Sequence, residues 1–285
     1  MAGVRVLWAV VALLASPLAA QEPALGLSGP IEQGALVRGT APPGTVSLSM
    51  DGRPVPLAPD GRFLLGFDRD APASATLTAR RADGTSTLRV LNVARRPWRI
   101  ERLGIARPSG GPTPEYQRLR EAELARIAAA RARGSATGGW AQRFIWPVRG
   151  RLSGLFGSQR IYRGGVPAAY HSGTDVAAGA GAVVVAPADG VVTLAPPPSF
   201  SLEGNLVIID HGMGLSSAFL HLSRVSVREG QAVRQGQPIG AVGATGRATG
   251  PHLHWSLVWD GARIDPQQVA GAMPQAAGVR AGAGP

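Results

Sequence analysis

The sequence predicts an all-β protein with a single linking helix, and three observations support this fold class. Alternating apolar and polar residues, punctuated by Asp-Gly pairs, fill the chain between residues 25 and 98, a pattern typical of β-hairpins. One stretch, residues 114–133, has the Ala-, Glu-, Leu- and Arg-rich composition of a helix. From residue 144 onward the chain is rich in glycine and valine, which favours a second β structure.

The first element is an export signal, predicted over residues 1–20. Arg5 provides a minimal positive region, an apolar stretch runs from Val6 to Ala15, and residues 16–20 have the small side chains of a cleavage site. The apolar stretch is shorter than the roughly 20 residues that span a bilayer, so cleavage is favoured over a permanent anchor. We therefore expect an exported, periplasmic protein without a stable membrane span. The absence of cysteine excludes disulfides and lipid attachment at an N-terminal cysteine.

Residues 24–98 are predicted to form a small immunoglobulin-like β domain. Asp-Gly pairs at Asp51, Asp60 and Asp83 mark its turns, and such pairs connect antiparallel strands. The segment has no residues suited to catalysis. We interpret it as a spacer or packing module.

Residues 99–143 are predicted to form a linker that contains a helix over residues 114–133. Pro114 is a favourable first helical residue and Gly134 a favourable stop. We expect the helix to pack on a neighbour through one apolar side, formed by Tyr116, Leu119, Leu124 and Ile127.

Residues 144–268 are predicted to form the main β domain, and residues 269–285 a disordered tail. Valine-rich runs such as residues 183–185 and 205–210 alternate with glycine-containing turns in the main domain. After Pro266 the chain is mostly Ala, Gly and Pro, with few side chains that could pack on a core.

The formal net charge of +11 gives little support to a nucleic-acid function. All 29 basic residues are arginines, and they are spread along the chain instead of clustering with aromatic residues, which nucleic-acid binding favours. Weak attraction to an anionic polymer such as a cell wall is compatible with this charge.

The histidines carry the strongest functional signal. The chain has five, all in its second half, and four lie in three short motifs: His171-Ser-Gly-Thr-Asp175, Phe219-Leu-His221, and His252-Leu-His254. Imidazole and carboxylate groups are the ligands that zinc prefers where one position stays available for chemistry. The fifth histidine, His211, has no such pairing, and we interpret it as a core residue.

The spacing within each motif limits its conformation. A straight strand would separate His171 from Asp175 by about 13 Å, so both can bind one ion only if the chain bends, and Ser172-Gly173 allows a bend. His252 and His254 project from the same face of a strand, about 6.6–6.8 Å apart along it. That spacing suits one histidine on a metal and the other beside it, facing a substrate. No His-Glu-x-x-His motif is present, so proton transfer is expected to fall to histidine, with His221 the natural candidate.

At these residues the chain resembles the lysostaphin-type, or LytM-domain, zinc metallopeptidases that cut peptidoglycan peptides. The resemblance runs from Trp146 to about Pro266 and includes motifs that occur in the same order: Gly154-Leu-Phe-Gly157, His171-x-x-x-Asp175, Ala186-Pro-Ala-Asp-Gly190, Asp210-His-Gly212, His221-Leu222 and Gly246-Arg-Ala-Thr-Gly-Pro-His-Leu-His254. It implies a two-sheet antiparallel β fold with a metal in an open groove. It also implies zinc ligation by His171, Asp175 and His254, with His221 and His252 as the paired catalytic histidines.

The function implied is hydrolysis of peptide bonds in peptidoglycan stem peptides or cross-links by a zinc-activated water. One alternative is a regulator of the same fold that activates a cell-wall amidase without cleaving anything itself, but such relatives lack metal ligands that this chain has. Another is a wall-binding protein with a structural zinc, which would need a fourth protein ligand. A biotinyl or lipoyl carrier is excluded because the chain has no lysine to hold the cofactor.

Several questions stay open at this level. The sequence does not identify the bond that is cut, nor which of the two catalytic histidines is the base. It does not settle whether the linker helix covers the groove as an autoinhibitory element, and it gives no oligomeric state.

Overall fold

The computed structural model of the chain describes residues 25–107, 111–195 and 197–274. The export signal predicted over residues 1–20 lies outside them, as do residues 275–285 of the predicted tail. Among the described residues, no helix is both long and apolar enough to cross a membrane. The chain folds mainly into antiparallel sheets with one long helix, which confirms the all-β fold class.

Seven short strands form the first unit: β1 (Gly26–Ser28), β2 (Leu36–Thr40), β3 (Thr45–Met50), β4 (Arg53–Val55), β5 (Arg62–Gly66), β6 (Ser74–Arg81) and β7 (Ser86–Asn92). They form two antiparallel sheets, ordered β1-β2-β5 and β4-β3-β6-β7. Asp51 and Gly52 join β3 to β4 with φ of +51° and +77°, the combination that a two-residue type I′ hairpin turn requires. Alternate residues of β6 are buried, namely Ala75, Leu77 and Ala79, so one face of this sheet lies on a core.

The linker contains strand β8 (Ile100–Arg102), helix α1 (Pro114–Ala132) and a 3-10 turn (Gly139–Ala141). The Thr113 hydroxyl caps α1 by accepting a hydrogen bond from the N–H of Tyr116 at 3.2 Å, which satisfies a backbone donor of the first turn.

Helix α1 packs through a different side from the one predicted. Leu119 and Leu124 are 49% and 52% exposed, whereas Glu123, Ile127 and Ala130 are buried. These three residues are spaced four and three apart and lie on one face of the helix. The expected apolar side is therefore wrong for the two leucines, because the buried face includes a glutamate whose partners lie in a distant loop.

Thirteen strands and a short helix form the second unit: β9 (Arg151–Gly154), β10 (Gln159–Tyr162), β11 (Val166–Pro167), β12 (Thr174–Ala177), β13 (Val183–Val185), β14 (Gly190–Leu194), β15 (Asn205–Asp210), β16 (Leu215–Leu222), β17 (Arg224–Val225), β18 (Ala232–Val233), β19 (Pro238–Ala241), β20 (Leu253–Trp259), β21 (Ala262–Ile264) and α2 (Pro266–Ala270). The main sheet has the order β18-β14-β15-β16-β20-β12-β9, with β21 paired to β20, and a second sheet has the order β13-β19-β17. Strand β20 is buried along its whole length, so the side chains on both of its faces pack against other parts of the protein.

The linker contributes a strand to the second unit. Strand β8 pairs in parallel with β10, completing a three-stranded sheet of order β11-β10-β8. Close by, the Trp98 ring meets the Phe156 ring edge-on at 5.6 Å between centroids. The first unit also reaches this region, since Arg69 Nε donates a hydrogen bond to the carbonyl oxygen of Gly157 at 3.1 Å.

One continuous core joins the two β units. Buried residues from Leu25 to Ala270 belong to a single packed cluster. Gly66 of β5 lies directly against Trp259 and Ile264, and a methyl group there would come within 2.8 Å of the indole and 2.9 Å of the isoleucine. Glycine thus permits the close approach of the two units.

The chain after Pro266 begins with ordered structure. Asp265 caps α2 by accepting a hydrogen bond from the N–H of Gln267 at 3.0 Å. Ala270 is buried, and the carbonyl of Gly271 accepts a hydrogen bond from Trp146 Nε1 at 3.0 Å. Residues 269–271, where the sequence predicts a disordered tail to begin, are therefore packed on the second unit.

Candidate metal centre

Neighbouring strands place Asp175 and His254 opposite each other. Strand β12 pairs antiparallel with β20, and these two residues are direct partners in the register. Side chains at such positions project from the same face of the sheet, about 5 Å apart at Cβ. The Asp175 Oδ1 atom consequently lies 2.9 Å from His254 Nδ1.

His171 reaches the same point from the loop that precedes β12. Its backbone N–H bonds to the carbonyl of Ser158 and its carbonyl accepts from the N–H of Gly157, both at 2.8 Å. These bonds turn the chain, so that His171 Nε2 lies 3.0 Å from Asp175 Oδ1. The bend expected between the two residues is present.

Glycine at position 173 makes room for the bend. A Cβ atom there would lie 2.5 Å from the carbonyl oxygen of Trp255 and 2.6 Å from His254 Nε2. Any larger residue would push the loop away from β20 and separate His171 from His254.

The three donor atoms fit a tetrahedral zinc ion. His171 Nε2 lies 3.0 Å from Asp175 Oδ1 and 3.1 Å from His254 Nδ1. Zinc bonds of about 2.0–2.1 Å place such ligand atoms about 3.3 Å apart, so an ion needs only shifts of a few tenths of an ångström. His171 Nδ1 donates to the carbonyl of Leu155 at 3.1 Å, which aims the Nε2 lone pair at the centre.

Electrostatics favour the ligand forms at two of the three residues. Burial opposes the charge of Asp175, but hydrogen bonds from His171 and His254 outweigh it and hold its pKa well below the usual range. Burial lowers the pKa of His254, which favours the neutral ring. Burial also acts to lower the pKa of His171, yet its bond to Asp175 raises it overall, so a metal ion has to displace that proton.

His221 and His252 form a second pair beside this cluster. Their ring centroids are 4.8 Å apart, and the His221 ring lies 6.4 Å from that of His254. His221 Nδ1 donates to the carbonyl of Thr245 at 2.9 Å, and His252 Nδ1 donates to the carbonyl of Gly250 at 2.8 Å. Because a carbonyl can only accept, both neutral rings carry their proton on Nδ1 and keep the Nε2 lone pair free.

The backbone holds His221 in an uncommon conformation. Its φ is +64°, a left-handed value that few residues other than glycine adopt. Its N–H donates to the carbonyl of Glu203 at 2.8 Å, and burial lowers the pKa of the ring. Hydrogen bonds therefore hold both the backbone and the ring of His221, and the ring is neutral at pH 7.

His211 lies apart from these four histidines, as expected of a core residue. It is fully buried, with Nδ1 donating to the carbonyl of Asp189 at 2.8 Å and Nε2 lying 2.7 Å from Ser217 Oγ. Burial lowers its pKa to about 4. Both ring nitrogens have partners, so His211 has no free lone pair to offer a metal.

Sequence reasoning missed the groups that orient the histidines. Four of them are backbone carbonyls, which leave no mark on a sequence: those of Leu155, Glu203, Thr245 and Gly250. It also missed that Arg120 of α1 donates two hydrogen bonds to the Glu203 carboxylate, at 2.8 and 3.0 Å. A contact across 83 residues has no local signal.

The second unit is similar in sequence to known peptidases. The model of peptidase family M23 matches residues 169–266. The peptidoglycan DD-endopeptidase ShyA of Vibrio cholerae is 39% identical over 124 residues, which cover 44% of this chain and 28% of that protein. The DD-carboxypeptidase/endopeptidase Mpg of Neisseria meningitidis is 44% identical over 105 residues, or 37% of this chain and 24% of that one. The chain thus matches about a quarter of the length of these relatives.

A solved structure extends the similarity to most of the chain. A crystal structure from Pseudomonas aeruginosa, assigned to peptidase M23, shares 30% sequence identity and a TM-score of 0.64 with this structure. The match covers 86% of this chain and 96% of that one, so it includes the first β unit and the linker as well as the second unit.

Proposed function

The chain belongs to peptidase family M23, and from this premise we propose that it is an exported zinc metalloendopeptidase of the cell wall. Its substrates in this proposal are peptide bonds in the stem peptides or cross-links of peptidoglycan. The names of two relatives, a peptidoglycan DD-endopeptidase and a DD-carboxypeptidase/endopeptidase, support this substrate class. Export follows from the substrate, which lies outside the cytoplasm, and from the signal predicted over residues 1–20.

The observation that carries the proposal is the arrangement of five side chains. His171, Asp175 and His254 bring three donor atoms within 4.8 Å of one another, and we assign them as the zinc ligands. A zinc ion there would supply Lewis-acid activation of a water molecule and of the scissile carbonyl. Two further histidines next to three such ligands are the arrangement that hydrolysis needs.

We assign His221 and His252 as the catalytic histidines. Each presents an Nε2 lone pair that can accept a proton from the attacking water and later donate it to the leaving amine. A protonated ring can also stabilise the developing oxyanion. Because both rings donate from Nδ1 and present Nε2, either ring can act as the base in the first step. The hydrogen bonds to the carbonyls of Thr245 and Gly250 prevent the rings from rotating.

A regulator without catalytic activity is the less favoured reading. In such a protein the ligand set or the proton-transfer pair would be incomplete, and here all five side chains are present and close together. The domain limits predicted from the sequence, with the enzyme over residues 144–268, are part of the proposal.

Two substitutions test the assignment. We expect His254→Ala to lose both zinc and hydrolysis, since it removes a ligand. We expect His221→Ala to retain zinc while hydrolysis falls about 10²- to 10⁴-fold, because it removes proton transfer alone. Zinc is measured by plasma mass spectrometry of the purified protein, and hydrolysis by mass spectrometry of digested peptidoglycan, which also identifies the bond.

The other outcomes point to the alternatives. A wild-type protein with stoichiometric zinc and no cleavage of any cross-link would support the regulator. Loss of zinc from His221→Ala would support a structural zinc with four protein ligands.

A further inference from the structure

Helix α1 and the sheet face that carries His254 enclose a cavity of about 140 Å³. Ser256 lies two residues after His254, and Ser172 follows His171; both line the cavity. The cavity therefore adjoins the candidate metal centre. Leu124 and Ile127 of α1 close its other side, so only a short group of a bound peptide can enter it.

Two arginines line this cavity without a carboxylate partner. Arg131 comes from the last turn of α1 and Arg263 from β21. Among the described residues, no carboxylate oxygen lies within 4.0 Å of either guanidinium. Both side chains are exposed. The pKa of Arg131 is lowered by partial desolvation and then by the charge of Arg263, while the charge of Glu203 opposes this shift, as expected where two like charges lie close together.

The one glutamate at the cavity is already neutralised. Glu203 accepts two hydrogen bonds from Arg120, which also pairs with Glu123 of the same helix. The arginines and glutamates of the cavity lining are therefore Arg131, Arg263 and Glu203, and the glutamate is already paired with Arg120. A cavity beside a metal centre with uncompensated positive charge selects an anionic group.

Other contacts hold Arg263 at the cavity. Its guanidinium lies over the ring of Tyr170 at 5.5 Å from the centroid, and its backbone N–H donates to the Asp68 carboxylate at 2.8 Å. The Tyr170 hydroxyl donates to the same carboxylate at 2.8 Å. Asp68 of the first β unit thereby supports one wall of the cavity.

We propose that Arg131 and Arg263 form a subsite for a free carboxylate of the substrate peptide, beside the bond that is cut. A guanidinium fork matches the two oxygens of a carboxylate, and the cavity has room for this group but not for a continuing chain. The inference rests on the proposed function and adds to it the chemical class of the neighbouring substrate group. In this proposal the linker helix contributes Arg131 to substrate recognition.

The experiment pairs a change in the substrate with a change in the protein. The substrates are a cross-linked muropeptide dimer and the same dimer with its carboxylates converted to amides. The proteins are the zinc-loaded full chain and its Arg131→Ala and Arg263→Ala variants. Arg118→Ala is the matched control, because Arg118 is exposed on the same helix and, within the described part of the chain, forms its one ion pair with Glu115, at 3.3 Å.

We expect the wild type to cleave the carboxylate dimer with a kcat/KM about ten- to a hundredfold above that of the amide. Each cavity variant should lose most of this preference through KM, Arg131→Lys should restore part of it, and Arg118→Ala should keep all of it. Unchanged zinc content and melting temperature would separate lost recognition from lost folding.

A binding experiment distinguishes a failure of the proposed subsite from a failure of the proposed function. The same two dimers are titrated calorimetrically into His221→Ala, with and without each cavity substitution. Tighter binding of the carboxylate dimer that depends on the two arginines supports the subsite, whether or not any of the proteins cleaves a dimer. If none of them cleaves either dimer, only the proposed hydrolase activity is overturned. Equal binding of both dimers, or a preference that survives both substitutions, overturns the subsite.

Discussion

His221 combines a left-handed backbone with a buried ring at an irregular position of strand β16, where the pairing with β15 shifts register. A residue with a side chain in this conformation costs about 1–2 kcal/mol, and persists only where its surroundings fix it. Here the Glu203 carbonyl fixes the backbone N–H and the Thr245 carbonyl fixes the ring. The conformation directs the ring toward His252 instead of along the ordinary pleat of β16.

The buried His211 predicts how stability depends on pH. Its pKa is about 4 in the folded protein and about 6.5 when unfolded, so the unfolded state takes up the proton first as the pH falls. The contribution of this residue is fully present above pH 6.5 and is lost between about pH 6.5 and 4, up to about 3 kcal/mol. Urea unfolding at several pH values measures the free energy of unfolding across this window.

The control for that prediction is His211→Gln, which cannot titrate. We expect the variant to be less stable at pH 7, since it loses the bonds to Asp189 and Ser217, but to have a flatter profile between pH 6.5 and 4. Parallel profiles for the two proteins would contradict the assigned cause.

At the scale of elements, helix α1 is connected through one loop to His221, one of the two histidines that we propose to be catalytic. Arg120 binds the Glu203 carboxylate, Glu123 accepts a hydrogen bond from the Ser201 hydroxyl at 2.7 Å, and the Glu203 carbonyl holds His221. The side chains involved are largely buried. The helix therefore supports the position of His221 while it bounds the cavity beside the metal centre.

Arg120→Ala tests this connection. Removing one partner of a buried ion pair costs about 3–5 kcal/mol, and we expect a lower melting temperature together with a several-fold lower kcat at unchanged zinc content. Arg120→Lys should recover part of the kcat, and Arg118→Ala should leave both quantities at the wild-type value. A faster variant would instead identify α1 as an element that occludes the groove.

Elements with a strong local signal were predictable from the sequence. The Asp51-Gly52 turn and the start of α1 at Pro114 follow from local geometry. His254 lies on β20, whereas His252 precedes this strand, in an isolated bridge to Gly243. Strand β8 has three exposed residues and gains its strand conformation only by pairing with β10. The buried side of α1 depends on a glutamate whose partners are distant in sequence, so periodicity alone predicted two of its leucines wrongly.

At the scale of the whole molecule, the two β units share one core and several polar contacts. Asp265 pairs with Arg96 at 2.9 Å, and its N–H donates to the carbonyl of Gly34 at 2.8 Å. Arg38 donates to the carbonyl of Gln142 at 2.9 Å. The first unit therefore packs on the unit that carries the candidate metal centre.

This arrangement predicts the behaviour of a fragment that starts at Gly139. The fragment exposes the faces of Trp259 and Ile264 that pack on Gly66 and leaves β10 without its β8 partner, so we expect a lower melting temperature and faster proteolysis. A chain starting at Leu25 is the control and should melt like the longer protein. A fragment as stable as the control would contradict the shared core.

The parallel pairing of β8 with β10 limits how a gene for this chain can be recombined. A crossover placed between the two β units, after Arg107 for example, would leave the amides and carbonyls along one edge of β10 without their partner strand. Recombination can move the whole span from Leu25 onward as one piece, but an exchange of the first unit together with β8 must supply β10 with a new partner strand.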